Sequence, residues 1–278
     1  MSNLILSAVP RQSRPSGVWD YISPSRLNLW LKCPLAFKLR YIDGVPSPTP
    51  PAAFVGKMVH RGLETFYRAR QQGVWLDSED LQFGLANCWE QAVHDERVQF
   101  ESEAIDTSSR EQVQQLLKAY VVQLPADEPQ PLAVEATSEA PLVDPTTGES
   151  LGIPLLGIMD LVLPDPSGPI VADFKTAARA SSTLEIMHEI QLSCYAYLLR
   201  SAFGEPESAL EIRSLIKTKI PKIETTRFPA RSSAHMRRLF AVVRRYLDDL
   251  DSGNFVFRPG ILCSSCEFEG TRCQGWQS

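Results

Sequence analysis

The sequence predicts an α/β fold: a mixed sheet flanked by helices, with a helical insertion ahead of the sheet. Three observations predict it. Stretches with apolar residues at helical spacing lie before and after a central block of short apolar runs. Within that block, two runs are separated by Pro164-Asp165-Pro166-Ser167-Gly168-Pro169, the punctuation of a β-hairpin. The 278 residues are 44% hydrophobic and 22% charged, an ordinary globular composition that suits one large domain.

Each element has a local reason. Residues 1–20 are polar, carry Pro10 and Pro15, and are expected to form a loose tail. Ser23-Pro24-Ser25 opens a helix, with Ser23 as cap and Pro24 in the first turn; Cys33 stands at its end. The Pro-rich run from Val45 to Ala52 is a loop. Phe54 to Gln72 is a helix with Val55, Val59, Leu63, Phe66 and Tyr67 as its apolar stripe. Two or more helices follow between Glu79 and Gln123, and the prolines from Pro125 to Pro131 break the chain. Strands are expected near Leu132 to Glu139, Leu155 to Leu163 and Pro169 to Lys175. A helix from Leu184 to Arg200, a strand over Ile212 to Ile216 and a final amphipathic helix complete the fold. The expected organisation is one domain over 21–278, with 61–125 as the helical insertion and 260–278 as a C-terminal cysteine-bearing segment.

The chemistry is concentrated in the hairpin. Gly157-Ile158-Met159-Asp160 ends one run and Val171-Ala172-Asp173-Phe174-Lys175 ends the other. Side chains alternate along a strand, so Asp173 and Lys175 share a face and Phe174 points away. If Asp160 lies opposite, two carboxylates and an ammonium converge. Carboxylates repel, and their convergence suits a hard divalent cation; a nearby lysine steadies developing phosphate charge. An isolated Asp-X-Lys is most often a solvated surface pair. Other residues add to it. His60 and Glu64 are four apart and share a helix face, as do Gln191 and Tyr195. Glu135 or Glu139, on the preceding strand, offers one more carboxylate, and the sequence does not choose between them.

A helical His, Gly-X-X-Asp, Asp-X-Lys and Gln-X-X-X-Tyr, in this order, resemble the PD-(D/E)XK nuclease superfamily, in particular its RecB-like exonuclease branch. That branch includes the nuclease domains of RecB and AddB and the CRISPR-associated RecB-like exonucleases. The resemblance runs from about Tyr21 to the C-terminus, with Met159 in place of the proline of the family name. It implies a restriction-endonuclease-like core. It further implies Mg²⁺ or Mn²⁺ held by His60, Asp160, Asp173 and the Phe174 carbonyl. Lys175 becomes the catalytic lysine, with Gln191 and Tyr195 supporting the site and contacting substrate. The implied activity is exonucleolytic hydrolysis of DNA, preferably of single-stranded ends, with protein partners from recombination or CRISPR adaptation.

The six cysteines divide into two sets. Cys88 and Cys194 sit among helical residues and read as small buried groups. Cys263-Ser264-Ser265-Cys266 with Cys273, together with Cys33, reads as a metal-binding thiol set. The N-terminus lacks a secretory pattern and no apolar run is long enough to span a bilayer, so a cytoplasmic location with reduced thiols is expected. Four thiolates suit structural zinc or an iron–sulfur cluster. One cysteine near the first end and three near the last resemble the iron–sulfur nucleases of the AddB and CRISPR-associated type. This resemblance implies a 4Fe-4S cluster joining the chain ends.

The formal net charge is −5, which argues against bulk affinity for nucleic acid. The charge is segregated, however. From Arg213 to Arg245 ten basic residues accompany the single acid Glu224, and acids gather between Asp77 and Glu149. Lys217, Lys219, Arg237, Arg238, Arg244 and Arg245 are the candidate phosphate contacts. Gly56-Lys57 lacks the glycine spacing of a nucleotide phosphate loop, and neither a dinucleotide fingerprint nor a G-x-S-x-G elbow is present. Two other readings stand beside the nuclease: a non-catalytic DNA-end-binding subunit, and a zinc-stabilised adaptor.

Overall fold

The computed structural model describes residues 17–270, 272 and 273, without the side chains of Leu262 and Ser265. The expected loose tail therefore lies almost wholly outside the described residues, as do residues 274–278 of the C-terminal segment. Seven helices and five strands follow in the order α1 (Pro24–Lys32), α2 (Pro34–Tyr41), α3 (Pro51–Gln71), α4 (Ser78–Asp95), α5 (Glu103–Gln123), β1 (Ala133–Val143), β2 (Ser150–Leu163), β3 (Ile170–Ala177), α6 (Leu184–Phe203), β4 (Ala209–Ile216), β5 (Lys222–Pro229) and α7 (Ser233–Ser252). A short 3-10 turn, Ile261–Ser265, carries the first cysteine of the C-terminal set.

The mixed α/β sheet has its strands in chain order, β1 to β5. Only β3 and β4 run parallel, because α6 crosses between them. The other neighbours are antiparallel. On one face α3, α4 and α5 pack through Phe54, Val59, Leu63, Trp89, Val113 and Leu116 onto Val134, Leu161 and Phe174. On the other face α6 packs through Leu192, Tyr195 and Leu199 onto Met159, Val162 and Val171, with α1 and α7 outside it. Two glycines permit the closest approaches. A Cβ on Gly62 would lie 2.4 Å from Leu117 Cδ1, and one on Gly157 would lie 2.5 Å from Leu198 Cδ1. Gly157 thus lets α6 close onto β2 beside Asp160.

Two elements, α2 and β5, lie outside the expectation. Ser23 caps α1 as expected, accepting from the Arg26 N–H at 3.3 Å. The chain then restarts as α2. Pro34 disfavours helical backbone at Cys33, which is extended at φ −160°, while Pro34 itself suits a first helical turn. The edge strand β5 was not anticipated, because its side chains are mostly exposed and polar and give no apolar run. The basic stretch from Arg213 to Arg245 also holds two residues that are not candidate phosphate contacts and are withdrawn from solvent. Arg213 and Arg231 are buried. Arg213 pairs with Glu128 at 2.6 Å and Glu211 at 3.0 Å, and Arg231 with Glu185 at 2.9 Å. Neither faces solvent as a phosphate contact.

Candidate active site

The site begins where the β2–β3 ladder stops. Pairing runs from Leu163↔Ile170 to Leu161↔Ala172 and goes no further, while β3 stays paired with β4 through Ala177. Beyond Ala172 one side of β3 faces a notch. Asp160 fills part of it, its Oδ2 accepting from the Phe174 N–H at 2.8 Å. A carboxylate replaces the missing strand as partner for that buried donor.

The pleat is broken at the same level. Met159 and Val162 both pack with α6 although they are three residues apart, whereas Leu161 packs on the opposite face. In β1, Ala133 and Ala136 repeat this spacing around Val134. Between them, Glu135 takes φ +48°, a left-handed conformation that costs a residue with a side chain about 1–3 kcal/mol. The strained backbone brings the Glu135 carboxylate to Asp160. Ligand atoms of His60, Glu135 and Asp160 all lie within 4.8 Å of one another. Of the two acids the sequence left open, the structure therefore places Glu135 beside the cluster. The signal that could have selected it was unreadable, since alternation along β1 fails at this residue.

His60 comes from α3, on one face of the sheet, and its Nδ1 is 3.4 Å from Asp160 Oδ2. The Phe174 backbone hydrogen-bonds the same imidazole. From the other face, Gln191 on α6 donates to Asp173 Oδ1 at 2.8 Å and to the Tyr195 hydroxyl at 2.8 Å. Tyr195 donates to Asp173 Oδ1 at 3.4 Å. Asp173 Oδ2 lies 2.6 Å from Lys175 Nζ, yet this buried oxygen makes no hydrogen bond of good geometry. Phe174 points away and stacks on Tyr67 at 5.9 Å, as the strand alternation predicts. The structure thus gathers His60, Asp160, Asp173, Lys175, Gln191 and Tyr195 into one notch. His188, one helical turn before Gln191, also borders it; the sequence reading passed it over because it lies outside the Gln-X-X-X-Tyr spacing.

The electrostatics follow from burial. Asp160 is pushed up to about 8, first by loss of water and then by the neighbouring Asp173 carboxylate. Burial lowers His60, which keeps the imidazole neutral and able to bind a cation. Burial also raises Tyr195 well above the ordinary phenol value, so it remains a donor. The His60 imidazole, the Glu135 and Asp160 carboxylates clustered with it, and the buried Asp173 oxygen beside Lys175 form a donor set that fits a hard divalent ion. A stability prediction follows. Asp160 has a folded value of about 8 against 3.8 for a free carboxyl. Its contribution is full below the lower value and is lost as pH rises toward the higher one. In EDTA, Tm should fall over that range, Asp160→Asn should flatten the fall, and Mn²⁺ should reverse it. A melting profile identical in wild type and Asp160→Asn would refute this.

The other predicted residues lie elsewhere. Lys217 and Lys219 sit in the turn after β4, at the end of the sheet that carries Lys175. On α7, Arg237 is exposed. Arg238 pairs with Glu189 at 2.5 Å, Arg244 with Asp144 and Glu149 at 2.8 and 2.7 Å, and Arg245 with Asp249 at 2.8 Å. Cys33, Cys263, Cys266 and Cys273 line a single cavity of about 570 Å³ with Leu35 and Phe268. Burial and the three neighbouring thiols raise Cys273. An Arg40–Glu267 ion pair and an Arg258 hydrogen bond to the Leu31 carbonyl dock the last segment on α1 and α2. Of the remaining two thiols, Cys194 is buried and Cys88 half-buried.

A family model described as the PD-(D/E)XK nuclease superfamily matches residues 21–274. The crystal structure of a "Putative exonuclease" from Eubacterium rectale superposes with a TM-score of 0.53 at 14% identity, covering 90% of this chain and 88% of that chain. At that identity the likeness shows the fold. A second structure, SSO0001, gives a TM-score of 0.33 at 18% identity over 49% of this chain and 57% of that one, and carries no argument. No curated protein matches. Among the described residues no helix is long and apolar enough to cross a membrane.

Proposed function

Because the chain belongs to the PD-(D/E)XK nuclease superfamily, we propose that it is a divalent-metal-dependent DNA exonuclease of the RecB-like branch, with a preference for single-stranded ends and a structural 4Fe-4S cluster. The observation that carries the catalytic part is the notch itself. His60, Glu135 and Asp160 cluster there, and Asp173 presents one oxygen to Lys175 beside them. These residues and the Phe174 carbonyl would hold Mg²⁺ or Mn²⁺, which would supply Lewis acidity at the phosphate and lower the pKa of water. Gln191 and Tyr195 hold Asp173 in one rotamer. Lys175 orients the attacking water and stabilises charge developing on the phosphate. Lys217, Lys219 and Arg237 offer the less encumbered cations for the strand. Arg238, Arg244 and Arg245 join them only by exchanging a carboxylate for a phosphate.

The cluster reading is supported by four thiols, Cys33, Cys263, Cys266 and Cys273, that line one cavity at the meeting of the two chain ends. All-thiolate ligation suits an iron–sulfur cube. In this reading residues 21–278 form one nuclease domain, with 61–125, the remainder of α3 with α4 and α5, as its helical insertion. The protein works in the cytoplasm, in recombination or CRISPR adaptation.

The test is an assay on end-labelled single- and double-stranded DNA. Cleavage should require Mg²⁺ or Mn²⁺, stop with EDTA, and release short products from single-stranded ends. Linearisation of a covalently closed circle would replace exonuclease with endonuclease action. Metal-independent binding without cleavage would favour the end-binding subunit.

A further inference from the structure

A cavity of about 770 Å³ between α3 and the end of α4 carries His60, Glu135 and Asp160 in its wall. One face of α3 lines it with Lys57, His60, Arg61 and Glu64. Five carboxylates also line it: Glu64, Asp95, Glu96, Glu135 and Asp160. Of the two permanent cations, Lys57 is committed. It pairs with Glu96 and donates to Thr49 Oγ1 at 3.3 Å. Arg61 is exposed and, among the described residues, pairs with none of the five acids. The acid nearest along its helix face, Glu64, is instead engaged by Arg68 at 2.9 Å.

We propose that Arg61 is a substrate-binding residue that seats a phosphodiester of the nucleic-acid strand directly beside the metal cluster. This rests on the nuclease reading and adds to it a residue outside the four sequence motifs. A polyanion entering a cavity lined by five carboxylates meets repulsion, and Arg61 is the uncommitted cation there. Its planar fork matches two non-bridging phosphate oxygens at once, which an ammonium cannot do. Its position next to His60 holds the strand in line with the metal ligands while leaving the carboxylates to the ion. The role is binding and alignment, with no bond made or broken by Arg61 itself.

The test uses the full chain and a fluorescein-labelled single-stranded 12-mer with phosphorothioate linkages, titrated by anisotropy in Mn²⁺ at several salt concentrations. Arg61→Gln should raise Kd about tenfold, the effect of losing one charge-assisted contact. It should also flatten the log–log salt dependence by about 0.7, one phosphate on a single strand. Arg61→Lys should recover the salt slope but only part of the affinity. Lys118→Gln, an equal loss of exposed charge on α5, should change neither. The Mn²⁺-induced rise in Tm should be the same in wild type and Arg61→Gln. An unchanged Kd and slope in Arg61→Gln would overturn the proposal, and so would loss of the Mn²⁺ shift, which would make Arg61 structural. If wild type binds the oligonucleotide but cleaves no normal DNA, the nuclease reading fails while the Arg61 measurement still decides its own case.

Discussion

Asp173→Ala should abolish cleavage while leaving DNA affinity within a few-fold of wild type. Asp173 is 1% exposed and joins three groups from two elements: Lys175 at 2.6 Å, Gln191 at 2.8 Å and Tyr195 at 3.4 Å. Its loss removes the proposed metal ligand and leaves the Lys175 ammonium without its counter-charge. Asp173→Asn is the sharper variant, because it keeps the volume and an oxygen for Gln191 but not the charge. It should be folded, bind DNA, show a reduced Mn²⁺ shift in Tm, and turn over at least about 10³-fold more slowly. Lys175→Ala should retain the Mn²⁺ shift and lose about 10²- to 10³-fold in kcat, the size expected for one transition-state donor. Single-turnover rates at saturating DNA separate these effects from binding. Full activity in either Asp173 variant or in Lys175→Ala would remove the notch from the mechanism.

Protein purified without oxygen should be brown, with iron and acid-labile sulfide in equal amounts and little zinc. Cys33→Ser, Cys263→Ser, Cys266→Ser and Cys273→Ser should each lose colour and become poorly soluble. The physical reason is topological. A cluster held by Cys33 and Cys273 closes a loop over nearly the whole chain, and a closure of that length contributes about 5.5 kcal/mol in the cross-link model. A domain with about 5–15 kcal/mol of net stability feels such a loss. The other contacts between the last segment and α1–α2 include Phe257 and Phe268 packing, an ion pair and a hydrogen bond. Cys88→Ser should be nearly neutral. Cys194→Ser, at a fully buried position, should cost packing stability but keep the colour. A colourless protein carrying one zinc per chain after iron-replete anaerobic expression would reverse the assignment.

The amino-acid sequence by itself located most of the elements, α2 and β5 excepted, and placed the charged residues of the hairpin. Helical spacing located α3 and α6. The Pro-Gly punctuation between Leu163 and Ile170 located the hairpin. Strand alternation put Asp173 and Lys175 on one side and Phe174 on the other, and the structure agrees. These are local properties, written in residues a few positions apart. The tertiary structure decided what no local pattern contains. Glu135 joins His60 and Asp160 only because the pleat of β1 breaks at a left-handed residue, so a period-two reading cannot place it. Arg213 and Arg231 look like surface cations in a basic run, and become buried because Glu128, Glu211 and Glu185 from distant segments neutralise them. Above all, His60 on one face of the sheet contacts Asp160 and feels the charge of Asp173, whose α6 partners lie on the other, because the β2–β3 ladder ends at Leu161↔Ala172. Backbone pairing between strands is a long-range choice. Where it stops, the sheet opens a notch through which side chains from both faces reach one another.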